Sequence, residues 1–187
     1  MTRLHTLILP LFLLAFTTQA VELKDSKPNR IHTELVMQID VKLGPDEDMG
    51  KGSEGHRINY PITGGTFIGK GPDGETFKGE VVPGGADMSV ERNDGVTKIN
   101  ALYRLKTDDG QIIIINNYGL WRPNASGLAK QAKGEDLLES DFYCRTIPSF
   151  ATGPGKHDWL EDYTYIGTID DTPDGGVLIG IYRVDGP

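Results

Sequence analysis

The sequence predicts an all-β fold of eight or nine short strands and one short helix. Three observations support this prediction: apolar and polar residues alternate in several segments, Asp-Gly dipeptides separate those segments, and 24 glycines allow sharp corners. Asp-Gly supplies the positive φ angles of tight hairpins, so the strands are predicted to be antiparallel neighbours. A closed antiparallel barrel of about eight strands and a β-sandwich both fit the pattern, and closure removes exposed sheet edges.

The strands are predicted in chain order from alternation and turn residues. Residues 35–43 alternate Leu, Met, Ile and Val with polar residues, which is typical of a strand with one buried face. A long polar loop is predicted over 44–55. Further strands are predicted over 57–61, 65–69, 75–79, 88–92, 96–106, 111–118, 163–169 and 177–184.

Glycine marks both the turns and two irregular strands. Hairpin turns are predicted at 93–95, 109–110 and 174–176, where Asp-Gly lies between two strand-like segments. The pairs Gly64-Gly65 and Gly84-Gly85 instead interrupt strand-like segments. Because glycine weakens a strand, such a pair predicts a bulge, a barrel corner or a close approach by a ligand or another backbone.

One helix is predicted, over residues 126–138. Leu128, Ala132 and Leu137-Leu138 would form a narrow apolar stripe on it, which Gly134 weakens.

The N-terminus has the pattern of a secretion signal. Arg3 precedes an apolar segment over 7–16, which is too short to span a bilayer, and small residues end at Ala20. A buried N-terminal helix is the alternative. We therefore expect a signal peptide over 1–20, a polar lead-in over 21–33 and a β-barrel domain over 34–187. The mature chain is expected to be secreted or periplasmic, without an integral membrane segment.

Charge and cysteine content narrow the classes of partner. The chain has 27 acidic and 19 basic residues, a net charge of −8, which argues against nucleic acid or an anionic membrane as a partner.

Cys144 is the single cysteine, so no internal disulfide forms, and a small buried thiol is expected there. Asn124 begins an Asn-Ala-Ser glycosylation site, which is relevant only in a eukaryotic host.

Nucleotide and metal motifs are not supported. Residues 69–74 match G-x-G-x-x-G, but a strand-like segment follows where phosphate binding needs a helix. The segment that begins at Asp170 resembles a calcium loop, yet Ile181 occupies its twelfth position. His32, His56 and His157 have no metal-ligand spacing. No cofactor and no metal are therefore predicted.

A candidate site is predicted from polar and aromatic residues on strands or strand ends. A barrel mouth with a carboxylate, a guanidinium and aromatic rings suits a small organic ligand. Asp87 and Arg145 are the candidate catalytic residues, although they could instead form a structural ion pair. Tyr103 could equally be core and Trp159 a plug at one barrel end. The candidate ligand-binding residues are Asn100, Tyr103, Tyr118 and Trp159.

The chain resembles a protein family, domain of unknown function 3237 (DUF3237, UPF0311-like). The resemblance rests on Pro61-Ile62-Thr63-Gly64-Gly65-Thr66-Phe67, on the segment from Gly79 to Asp87, on Tyr103 with 107–110, on Arg145-Thr146 with Pro148 and Phe150, and on Trp159-Leu160. It implies an eight-stranded antiparallel barrel similar to allene oxide cyclase and dirigent proteins, which guide cyclisation or coupling of small molecules without a cofactor.

Three positions depart from that family pattern. Asn100 stands where an acidic residue is expected, Leu102 where Arg is expected, and Met88 where Trp is expected. An acid–base pair that relatives would carry at the first two positions is therefore absent.

Three functions remain open from the sequence. The first is a cofactor-independent isomerase, cyclase or lyase, with Asp87 as acid or base and Arg145 orienting an anionic or carbonyl group. The second is a non-catalytic barrel that binds a small apolar or phenolic ligand. The third is a structural or homo-oligomeric protein whose barrel is filled with side chains.

Overall fold

The structure, a computed structural model, describes residues 30–185. The predicted signal peptide and residues 21–29 of the predicted lead-in lie outside these residues. The strands are β1 (His32–Leu43), β2 (Glu47–Gly52), β3 (Gly55–Lys70), β4 (Thr76–Glu91), β5 (Thr97–Thr107), β6 (Ile112–Pro123), β7 (Phe142–Thr152), β8 (Thr164–Asp171) and β9 (Val177–Asp185). Helix α1 (Ala125–Gln131) and the 3₁₀ helices Glu139–Asp141 and Asp158–Asp162 lie between strands.

Eight of the strands close into an antiparallel barrel, which confirms the predicted fold class. The strand order is β1-β9-β8-β7-β6-β5-β4-β3, and β1 pairs again with β3 to close the sheet. Strand β2 lies outside this ring and pairs only with the first part of β3. Each hairpin predicted at an Asp-Gly turn joins neighbouring antiparallel strands, and Gly95, Gly110 and Gly175 all have positive φ.

The interior of the barrel is divided along its axis. One half is filled by an apolar core, and the 3₁₀ helix Asp158–Asp162 covers that end with the buried side chain of Leu160. Phe77 stacks on His157 at a centroid distance of 4.5 Å and meets Trp159 edge-on at 6.2 Å. The fully buried side chains of this half include Met37, Ile39, Leu105, Ile113, Ile115, Tyr165 and Ile181.

Both glycine pairs lie inside continuous strands at bulges, which are one of the three alternatives that the sequence left open. The register between β3 and β4 shifts between Ile62 and Thr66, and that between β4 and β5 shifts between Val82 and Ala86. Gly65 has φ +133°, and a β-carbon there would overlap the carbonyl oxygen of Asp40 on β1. Glycine is therefore required at this position of the pairing between β3 and β1.

The polar loop predicted over 44–55 is wrong in part, because it contains β2. All six residues of β2 are exposed, so neither face of the strand needs apolar residues. The sequence therefore has no alternation of apolar and polar residues from which this strand could be predicted. Backbone pairing with β3 holds the strand, together with hydrogen bonds from Asn59 to Glu47 (2.8 Å) and between His56 and Asp48 (2.8 Å).

The predicted helix is present but much shorter. The Asn124 side chain caps α1 by accepting a hydrogen bond from the Gly127 amide at 3.0 Å, and Gly134 follows the helix with φ +70°. Leu128 and Leu138 are exposed, so the predicted apolar stripe has no core to pack against. Within residues 30–185, no helix is long and apolar enough to cross a bilayer.

The close approach at Gly65 predicts a large effect of a single methyl group. Gly65→Ala should lower the free energy of unfolding by about 3 kcal/mol, from overpacking against β1 and an unfavourable φ. Gly153→Ala is the matched control, because its φ is ordinary and no atom lies within 4 Å of its β-carbon, and it should change stability by less than about 1 kcal/mol. Urea denaturation measures both values. Equal effects of the two variants would contradict a close contact between Gly65 on β3 and the backbone of β1.

Candidate functional site

The open half of the barrel contains a cavity of about 390 Å³. This volume lies in the range of small-molecule sites, roughly 300–1,000 Å³. Its mouth is at the end where β6 leads into α1, opposite the end that Trp159 covers. The lining includes the apolar residues Val41, Leu43, Ile62, Ile99, Ala101, Ile169, Val177 and Ile179 and the polar or aromatic residues Tyr60, Asp87, Glu91, Thr97, Tyr103, Asn117, Trp121, Gln131, Phe142, Cys144 and Asp171.

One row of directly paired residues crosses the middle of the cavity wall. Tyr60 on β3 pairs with Asp87 on β4, Asp87 pairs with Ala101 on β5, and Ala101 pairs with Asn117 on β6. Directly paired residues point to the same face of a sheet, with β-carbons about 4.5–5.5 Å apart. The row therefore places a phenol beside a carboxylate, and places an amide two strands further around the interior, beyond Ala101.

A second row lies nearer the mouth. Glu91, Thr97, Trp121 and Cys144 are successive partners on β4, β5, β6 and β7. Burial raises the pKa of the Cys144 thiol to about 11, so this group is a neutral thiol at pH 7. This agrees with the small buried residue expected from the sequence.

Asp87 is held in place by the backbone of the neighbouring strand. Pairing between β4 and β5 stops at Asp87–Ala101 and resumes at Val90–Lys98 in the same register. In the gap, Oδ1 of Asp87 accepts a hydrogen bond from the backbone amide of Asn100 at 2.8 Å, and Oδ2 accepts one from the Ser89 hydroxyl at 2.9 Å. Burial raises the pKa of Asp87, while these two hydrogen bonds partly oppose the shift. A carboxyl group whose pKa is raised is a stronger base than an ordinary aspartate and is a candidate for proton transfer.

Two buried side chains on the wall have polar atoms without partners in the described part of the chain. Asn117 is 0% exposed, and neither its amide oxygen nor its amide nitrogen has a hydrogen bond. The Tyr103 hydroxyl is also unpartnered, and burial raises the pKa of Tyr103, so the phenol stays protonated. A buried polar group without a partner costs about 1–3 kcal/mol, so such groups in a cavity wall are candidate ligand contacts.

The structure brings only two of the six predicted site residues to the cavity. Asp87 and Tyr103 line it. Asn100, Tyr118 and Arg145 are exposed on the outer barrel surface, since each lies one residue away from an inward-facing position. Arg145 there donates to the Cys144 carbonyl at 2.5 Å and lies 5.9 Å from the Tyr143 ring centroid. Trp159 covers the opposite end. The predicted Asp87–Arg145 constellation is therefore not assembled in the cavity.

The cavity also contains candidate functional residues that are not among those predicted from the sequence. Tyr60, Asn117 and Trp121 are the clearest of these. Asn117 follows Ile113 and Ile115 at intervals of two, and both isoleucines are 0% exposed. A polar residue on the buried face of a strand is unusual, but the four consecutive isoleucines over 112–115 give no alternation from which that face could be identified in the sequence.

The described residues contain no group of three or more His, Cys, Asp and Glu side chains that could hold a metal ion.

Comparisons with known proteins agree with this architecture. Residues 31–184 match the family described as "Protein of unknown function (DUF3237)". A UPF0311 protein of Rhodopseudomonas palustris is 30% identical over 154 residues, which cover 82% of this chain and 97% of that protein. The crystal structure of a conserved protein from the same organism has a TM-score of 0.72 at 29% identity and covers 83% of this chain and 99% of the other. A β-barrel-like protein from Acinetobacter baumannii has a TM-score of 0.72 at 29% identity, with coverage of 86% and 100%.

The unpartnered amide predicts a gain in stability on its removal. Asn117→Leu should raise the free energy of unfolding by about 1–3 kcal/mol, because an apolar group of similar shape ends the desolvation cost. Asn116→Leu is the control, since Asn116 is the exposed neighbour on the same strand, and it should have little effect. Urea denaturation of the ligand-free protein measures both. A loss of stability in Asn117→Leu would contradict the assignment of this amide as unpartnered.

Proposed function

The chain belongs to the DUF3237 family, and from its cavity we propose that it is a cofactor-independent isomerase, cyclase or lyase acting on a small organic molecule. The observation that carries this proposal is a carboxyl group, Asp87, with a raised pKa in the wall of a cavity of ligand size. The unpartnered atoms of Asn117 and Tyr103 support the same site as the place where a substrate binds.

Asp87 is the proposed proton-transfer group. As the carboxylate it accepts a proton from substrate carbon or oxygen, and as the acid it returns that proton at a second position, so no external reactant is consumed. Hydrogen bonds from the backbone amide of Asn100 and from the Ser89 hydroxyl keep the carboxyl group fixed during this exchange. Tyr60, its direct neighbour on β3, supplies a hydroxyl beside the reacting group, and burial raises the pKa of that phenol.

A non-catalytic binding barrel is the second candidate, and one observation favours it. The hydrogen bond from the backbone amide of Asn100 to Asp87 replaces a missing hydrogen bond in the pairing of β4 with β5. A structural role in joining these strands would therefore also explain why a carboxylate is present at position 87. Under this alternative the cavity binds a small apolar or phenolic ligand and leaves it unchanged.

Export is part of the proposal. The segment 1–20 has the charge, apolar length and small residues of a signal peptide, which supports a secreted or periplasmic location for the mature barrel.

Conversion of small molecules by matched variants tests the enzyme proposal. A small-molecule extract of the source cells is incubated with the wild type, with Asp87→Asn and with Asp108→Asn, and is then analysed by liquid chromatography and mass spectrometry. Asp108 is the control, an exposed carboxylate at the opposite end of the barrel from the cavity mouth. An isomerase or cyclase yields a product of equal mass and different retention time, and a lyase yields two products whose masses sum to the substrate.

The wild type and Asp108→Asn should convert the same compound, and Asp87→Asn should do so at least about a hundredfold more slowly. Equal conversion by Asp87→Asn would remove Asp87 from the chemistry. A compound that is retained by all three proteins but not converted would favour the binding alternative.

The raised pKa of Asp87 gives a pH prediction. If the carboxylate is the base, kcat/KM should fall on acidification with an apparent pKa above 3.8, the ordinary value for this group. The native state then binds more protons than the unfolded state between the two pKa values, so the ionised group lowers stability as pH rises through that interval. Asp87→Asn should therefore be at least as stable as the wild type at pH 7, as thermal unfolding would show.

A further inference from the structure

The charges of the cavity wall are all of one sign. Its ionisable lining contains three carboxylates, Asp87 in the wall and Glu91 and Asp171 at the exposed rim. None of the described residues that line the cavity is Lys, Arg or His. Desolvation is the main cause that raises the pKa of Asp87, and no cationic side chain is among the causes that act on it. An incoming cation would stabilise the ionised form of this carboxyl group.

Two cations near the mouth, His56 and Arg92, are engaged with carboxylates, one of which is the rim residue Glu91 itself. His56 lies 3.3 Å from Glu91 and 2.8 Å from Asp48, and these hydrogen bonds raise the pKa of the imidazole. Arg92 forms an ion pair with Asp94 in the next turn. Neither of these cations lines the cavity, so an anionic ligand inside it would meet carboxylates without a compensating cation among the described lining residues.

Aromatic rings form a further part of the same wall. Tyr60, Tyr103, Trp121 and Phe142 all line the cavity. Trp121 and Phe142 pack together at a centroid distance of 5.8 Å and an interplanar angle of 33°. The faces of aromatic rings attract cations, and tryptophan is the strongest of them. Rings together with carboxylates are the side chains by which proteins bind organic ammonium groups.

We propose that the ligand of this cavity is a small organic amine, bound as its ammonium ion between Asp87 and the aromatic wall, with its apolar body against the aliphatic lining. The proposal rests on the proposed function of the cavity and names its substrate class. It replaces the anionic group that a cavity-facing Arg145 would have oriented, because Arg145 lies on the outer surface. With the ammonium bound, Asp87 is present as the carboxylate and can act as the base for a proton elsewhere on the same molecule.

Three ligands of nearly the same shape and different charge test this proposal. They are 1-naphthylmethylamine (a cation at pH 7), 1-naphthalenemethanol (neutral) and 1-naphthoate (an anion). Isothermal titration calorimetry at low salt measures their Kd for the wild type, Asp87→Asn, Glu91→Gln and the distant control Asp108→Asn. We expect the wild type to bind the amine about tenfold more tightly than the alcohol, and the anion more weakly than both.

The two cavity variants and the distant control test whether the preference for the amine arises in the cavity. Asp87→Asn should lower amine affinity about tenfold while leaving alcohol affinity within about twofold, and Glu91→Gln should lower amine affinity about threefold, since its charge is at the solvated rim. Asp108→Asn should leave all three values unchanged. The effect of Glu91→Gln tests the charge argument independently if Asp87→Asn does not fold.

The outcomes separate this inference from the function on which it rests. Alcohol bound as tightly as the amine, or an amine preference unchanged in both cavity variants, overturns the amine proposal while the cavity remains a ligand site. Tightest binding of 1-naphthoate overturns it as well. Binding of none of the three ligands contradicts both the amine proposal and the proposed small-molecule cavity.

Discussion

The pairing of β1 with β3 is the contact on which the rest of this structure depends. It converts a sheet of eight strands into a closed wall, and it passes through Gly65, where a β-carbon would overlap the Asp40 carbonyl oxygen. Without closure, β1 and β3 would expose unpaired edges, and no interior would exist to hold either a core or a cavity. The absence of a side chain at Gly65 thus allows the barrel to close and to enclose an interior.

Closure alone does not decide how the interior is used. In the half that Trp159 and Leu160 cover, large apolar side chains fill the space, and this half accounts for most of the buried core. Toward the other end the inward positions carry Asp87, Ala101, Asn117 and Thr97, which are too small or too polar to fill it. Polar groups without partners reduce stability, and proteins commonly accept such a cost at functional sites. The filled half provides the rigidity that lets the open half remain open.

Asp87 connects the fold to the proposed chemistry. The bulge at Gly84-Gly85 lies just before it, and a β-carbon at Gly85 would stand 2.7 Å from the Leu102 carbonyl oxygen. Beyond the bulge, the Asp87 carboxylate accepts a hydrogen bond from the backbone amide of Asn100, which has no partner in the strand pairing. The position of the carboxylate is therefore set by the backbone and not by a flexible side chain. The same hydrogen bonds that hold it also favour its ionised form, whereas burial opposes ionisation. A carboxyl group balanced in this way can act in a site without a neighbouring cation.

The sequence by itself determined an antiparallel all-β fold, most of the strands whose two faces differ and the hairpins at Asp-Gly, because burial leaves an alternation and positive φ selects glycine. It did not identify β7, and the residues fitted a barrel and a sandwich equally until the family resemblance favoured the barrel. Tertiary structure alone decided which side chains enter the cavity. Residues 112–115 are isoleucine at both parities, so alternation could not show that Asn117 faces inward and Tyr118 outward. Strand β2 is exposed throughout and leaves no pattern, and α1 is short because no core receives its leucines. The site depends on strand register around a closed wall, and register is a property of paired strands rather than of any one segment.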